Sequence, residues 1–175
     1  AQRTIRETVK HHFAVSACIL QKDARIGKII GFYSVVFAAH TLLFFYSQQY
    51  FADLGYNKVQ ISVIMLLVGG ASCLGALVSE KMYRWFGKKC LIPETVIIAG
   101  AILCYGAGKA GVAIAALMCA GFANAALYPI QSDSLNALIP SEQRATLISV
   151  DSMCFSIVMI VLFPLAGALA DRWVL

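Results

Sequence analysis

Charge is what this chain lacks most. Asp, Glu, Lys and Arg make up 13% of its 175 residues, about half the roughly 25% of an average globular protein. That supply is too small for the charged outer face of a soluble domain, given 60% apolar residues and a mean hydropathy of +0.77. The signatures of metal and redox sites are missing too. Cys18, Cys73, Cys90, Cys104, Cys119 and Cys154 form neither a CxxC pair nor a Cys/His cluster at ligand spacing. They read as small apolar residues within apolar runs. There is no HExxH, no phosphate-binding Walker loop, no hydrolase elbow and no pair of intramembrane aspartates. No enzyme chemistry, cofactor or metal is therefore expected. A signal peptide does not fit residues 1–28, where the longest apolar run, 13–20, is flanked by His11, His12, Gln21, Lys22 and Asp23. The net charge of +5 comes without a basic groove interleaved with aromatics, so nucleic acid is not an expected partner.

What is present is apolar length. A helix needs about 20 largely apolar residues to cross roughly 30 Å of hydrocarbon. Five runs approach that: 29–51, 59–79, 91–108, 110–130 and 145–170. They predict an all-α membrane protein of five transmembrane helices, multi-pass in the cell membrane, with the lipid bilayer as its solvent. Residues 1–28 form a basic segment before the first run, and 171–175 a turn after the last. Asn57 and Gln60 have the spacing of a helix-start capping box. Gly106 and Gly108 punctuate a short turn, and Pro140, Ser141, Glu142 and Gln143 read as a cap and acidic first turn. Gly69, Gly70, Gly75, Gly100, Gly111, Ala115 and Gly121 are candidates for close helix approach.

Cations set the orientation. Eleven of the 14 Lys and Arg residues lie before the first run, between the second and third, or just before the fifth. That side is expected to be cytoplasmic, with the amino end inside and the carboxyl end outside. The chain has no initiating Met, and an odd number of spans separates its ends. It is expected to be an internal piece of a longer protein, with an authentic five-helix protein as the alternative.

Polar side chains within apolar runs are the candidates for function, because each must find a partner or water. Tyr33, Phe37, His40, Phe44 and Ser47 or Gln48 recur every three to four positions and share one helix face. Asn124, Tyr128 and Gln131 do the same on the fourth run. Two readings stand for both stripes: a cavity for an amphiphilic organic solute, or packing between helices. His40 titrates near pH 6.5 when unperturbed and is a candidate for proton exchange; the competing reading is a neutral histidine bonded to a neighbouring helix. Asp151 lies two turns past Arg144, roughly 10 Å along the helix, where a carboxylate meets a vestibule or a cation. Pro164 is expected to kink the fifth run.

Four stretches share one likeness. Gly75, Glu80, Lys81, Arg84, Gly87, Lys88 and Lys89 form a loop in which an acid precedes basic residues around a second glycine, with the acid displaced and the spacing stretched. Residues 46–55, 139–149 and 164–172 flank the first and last runs. Together they resemble the carboxyl-terminal half of the major facilitator superfamily. The resemblance implies that the five runs are helices 7 to 11 of a twelve-helix bundle, with helices 1–6 and 12 as missing partners. It implies alternating access of a small-molecule substrate around a midplane site, with protons as the coupling partner or drug-type efflux as the mode. Tyr33, His40, Phe44, Gln48, Asn124, Tyr128 and Gln131 become cavity candidates, and Asp151, Glu80, Lys81, Arg84 and Arg144 coupling or gating candidates. A non-transport scaffold, sensor or assembly subunit is the rival.

Overall fold

A computed structural model of the chain describes residues 24–87, 91–105, 109–139 and 141–173. Expectations for the basic segment up to residue 23, for Lys88, Lys89, Gly106, Gly108 and Pro140, and for Cys18 and Cys90 lie outside the described residues. All the elements described are helical, as the composition predicts: α1 (Ala24–Asp53), α2 (Lys58–Phe86), α3 (Leu91–Tyr105), α4 (Ala110–Asn136) and α5 (Arg144–Trp173). A 3-10 turn, Ser141–Gln143, precedes α5.

Four of the helices outrun the apolar runs that signal them. Arg25 and Lys28, assigned to the basic segment, lie in α1, and α2 continues through Glu80, Lys81 and Arg84. Hydropathy ends where charge begins, but the backbone keeps its hydrogen bonds. Long aliphatic stems favour the helix and carry their charges to water. The acidic first turn expected of α5 is not there. Ser141–Gln143 tighten into the 3-10 turn common at helix starts, and the α-helix proper begins at Arg144.

Four helices (α1, α2, α4 and α5) are long and apolar enough to cross a membrane by length and composition. The 15 residues of α3 rise about 22 Å, short of the hydrocarbon thickness. The run counted as 91–108 reaches its length only through residues beyond those described.

The corner between α1 and α2 shows how sequence specifies geometry. Gly55 takes φ +87°, a conformation in which a Cβ would be strained. Around it Tyr56 N donates to Phe51 O at 3.0 Å and Gly55 N to Ala52 O at 2.9 Å, the paired bonds of a Schellman cap. The Phe51 and Tyr56 rings pack at 5.7 Å, supplying that motif's apolar contact. Two residues on, Asn57 N donates to Gln60 Oε1 and Gln60 N to Asn57 Oδ1, both at 2.9 Å, so the expected capping box forms. Asn57→Ala is expected to lower the unfolding free energy in detergent by about 1 kcal/mol. An unchanged denaturation midpoint would deny the cap that role.

The chain packs as two units, Ala1–Val35 with Asp133–Leu175, and Val36–Ser132. In the first, Ile26, Ile30, Leu135, Leu147 and Val150 form a buried cluster. In the second, α2 and α4 meet at two glycines. A Cβ on Gly75 would strike the Phe122 backbone carbonyl, and one on Gly121 would lie 2.8 Å from Ser72 Oγ and 3.1 Å from Val68 Cγ1. Gly69, Gly70, Gly100 and Gly111, also read as packing residues, have nothing within 4 Å of such a Cβ. Pro129 and Pro164 both lie inside helices.

Much of the exposed helix surface is apolar. Leu66, Leu77 and Ile160 are 74%, 76% and 72% exposed. Large apolar side chains exposed in such number are uncommon in water and ordinary against acyl chains.

Candidate functional site

The site is built on the second unit, where α1 and α4 run along one another. The rings of Phe37 and Tyr128 lie 5.9 Å apart, tilted by 37°, within the range of aromatic pairs. Thr41 turns its hydroxyl inward to its own helix, donating to Phe37 O at 2.7 Å, so it offers nothing to the interface. Ser47 likewise donates to Phe44 O at 2.7 Å and is fully buried. His40 and Asn124 are polar groups within one turn of the ring pair in sequence, and Tyr50 Oη is a further buried atom without a partner toward the end of α1. The His40 and Asn124 side chains are half-buried. His40 Nε2 and Asn124 Oδ1 are inaccessible and have no hydrogen-bond partner among the described residues.

Unpaired buried polar atoms are uncommon, because each loses its hydration with nothing in return, at about 1–3 kcal/mol. One on each of the two helices that carry the aromatic pair is poor packing chemistry and suitable recognition chemistry. One more backbone acceptor lies close by in sequence. Pro129 has no N–H to give the Ala125 carbonyl, so α4 lacks one rung beside Asn124 and Tyr128.

Burial sorts the candidates. Tyr33 and Gln131 are each only 2% exposed; Tyr33 belongs to the other unit, packed edge-on against Phe32 at 5.6 Å. Phe44 is half-buried and T-shaped on Phe45 at 6.0 Å. Gln48 is exposed, and Tyr128 is 62% exposed. Asp151 is half-buried within α5, while Glu80, Lys81, Arg84 and Arg144 are exposed at helix ends. His40, Asn124 and Tyr128 lie within a single unit, on the two helices that the Phe37–Tyr128 ring pair joins.

Two features were not singled out from sequence. Phe37 was noted only as a member of the stripe, yet it supplies the α1 half of the ring pair. At the far end of α1, Tyr50 and Phe51 pack on Tyr105 of α3, ring centroids 4.9 and 6.4 Å away. The signal for that cluster was an aromatic at the end of each run, which amphipathic periodicity does not detect.

The model of a protein family described as Major Facilitator Superfamily matches residues 3–159. No curated protein and no solved structure matches the chain.

Proposed function

The chain belongs to the major facilitator superfamily, a family of multi-pass membrane proteins that carry small molecules across the bilayer, and from that premise we propose that it moves an amphiphilic organic solute by alternating access. The observation that carries this reading is the pair of helices α1 and α4: an aromatic ring pair joins them, and each holds a buried, unpartnered polar atom. A rocking carrier needs a face that is neither sealed by apolar packing nor fully solvated, and such a face is consistent with that need. The helices of this chain would work with a second half of similar hydropathy, the amino end on the cytoplasmic side.

Transport is driven by protons, with Asp151 as the coupling or gating carboxylate. Support comes from its place within α5, a helix long and apolar enough to cross a membrane, where a carboxylate must meet water or a partner. The exposed Glu80, Lys81 and Arg84 at the end of α2, with Arg144 at the start of α5, would brace one of the two access states by charge and helix-dipole contacts.

Proteoliposomes of the intact transporter, with and without an imposed pH gradient, test this reading. Accumulation of an aromatic organic solute that follows the gradient is expected, with Asp151→Asn abolishing the dependence on it. Solute flux in the wild type that ignores the gradient contradicts the coupling, and no flux of any organic solute contradicts the reading altogether.

A further inference from the structure

The two unpartnered atoms also indicate what kind of solute group they meet, because their register can be worked out within the one unit. Tyr50 and Phe51 near the end of α1 touch Tyr105 at the end of α3. α4 begins five residues later, at Ala110. It therefore starts beside the far end of α1 and runs back along it until Tyr128 reaches Phe37. The two helices are antiparallel.

From that ring pair, His40 is three residues onward on α1 and Asn124 four residues back on α4. Both spacings keep a helix face. At about 1.5 Å per residue, both residues lie about 5 Å from the rings, displaced in the same direction. His40 Nε2 and Asn124 Oδ1 thus share one level of the interface, next to the aromatic pair.

Their chemistry narrows the occupant. An amide oxygen only accepts, so Asn124 Oδ1 needs an N–H or O–H from the solute. A neutral imidazole nitrogen gives or takes one hydrogen bond according to its tautomer. Neither helix supplies a charge at this level: α1 carries no Asp, Glu, Lys or Arg between Lys28 and Asp53, and α4 none before Asp133. An anion would find no cation here and a cation no carboxylate, and an unpaired ion within hydrocarbon is costly.

We propose that His40 and Asn124 form a polar clamp for a neutral carboxamide-type group on a flat aromatic solute, whose rings lie against Phe37 and Tyr128. The carboxamide N–H bonds Asn124 Oδ1 and its carbonyl accepts from His40 Nε2–H, which satisfies both atoms without moving a charge into the membrane. This rests on the transport reading above and names the substrate class of the same site.

The test is equilibrium dialysis of the intact transporter in lipid nanodiscs with three probes of one size: 2-naphthamide, 2-naphthylmethylamine and 2-naphthoate. The amide is expected to bind at least tenfold more tightly than either ion. Asn124→Leu and His40→Leu should each weaken the amide about tenfold and leave both ions within twofold. Asn124→Asp, which keeps the shape and adds a charge, should shift preference from the amide to the amine. Tighter binding of either ion by the wild type, or amide binding unmoved by all three variants, overturns the clamp. If flux in proteoliposomes persists alongside such a result, the clamp alone has failed; if flux is absent too, the transport reading fails with it.

Discussion

Gly75→Ala should lower the stability of the α2–α4 crossing by about 1–3 kcal/mol, the range of an overpacked core, and Gly75→Leu by more. A Cβ at this position meets the backbone carbonyl of Phe122, and a carbonyl inside a helix cannot turn aside as a side-chain tip can. Either α4 moves away, losing its dispersion contacts with Ser72 and Val68, or the helix distorts. Between membrane helices such contacts matter more than in water, since lipid provides no hydrophobic drive for association. The same helix holds its own control. A Cβ on Gly69 has nothing within 4 Å, so Gly69→Ala should leave stability unchanged or raise it by up to about 1 kcal/mol through helix propensity. Unfolding of both variants in mixed micelles separates them. Equal midpoints for Gly75→Ala and Gly69→Ala would mean the helices do not cross where described.

His40→Leu is expected to cut solute flux about tenfold or more while leaving the protein as stable as the wild type, or more stable by about 1 kcal/mol. The sign follows from the unpartnered Nε2. Replacing a buried polar group that has no partner by an apolar one of similar size removes a desolvation penalty rather than a bond. A packing histidine would behave in the opposite way, losing stability with little effect on transport. Flux and the midpoint of thermal unfolding, measured on one preparation, read the two quantities together. Lower stability with normal flux at several pH values would return His40 to the packing role.

How much of this was legible beforehand differed from element to element. The helices announced themselves because lipid demands continuous apolar length, and the Asn57–Gln60 cap because both its residues lie within one turn. Family membership was legible from the basic stretch after Gly75 together with the flanks of the first and last runs. Helix ends were harder: Arg25 and Glu80 look like loop residues on a hydropathy scale but continue the backbone ladder.

For the site, periodicity put His40 on one stripe and Asn124 and Tyr128 on another, which is as far as spacing reaches. It could not say that Phe37 meets Tyr128, nor that Tyr33 and Gln131 are buried, since those depend on which helices become neighbours. Among the marked glycines, only a neighbouring helix, its backbone at Gly75 and its side chains at Gly121, separates these two from Gly69 and Gly111. Local sequence carries no record of that neighbour.

The central claim is that the α1–α4 face meets water and solute within the membrane, while the exposed apolar faces meet lipid. Single-cysteine labelling tests it most directly. In a transporter stripped of native cysteines and held in liposomes, Tyr128→Cys and Leu66→Cys would be exposed to a small, charged, membrane-impermeant thiol reagent. Both positions are largely exposed, at 62% and 74%, so burial does not distinguish them and only the surrounding medium can. The account predicts fast labelling at position 128, slowed by bound solute, and almost none at position 66. Equal labelling at the two positions, or labelling at 66 alone, would contradict it.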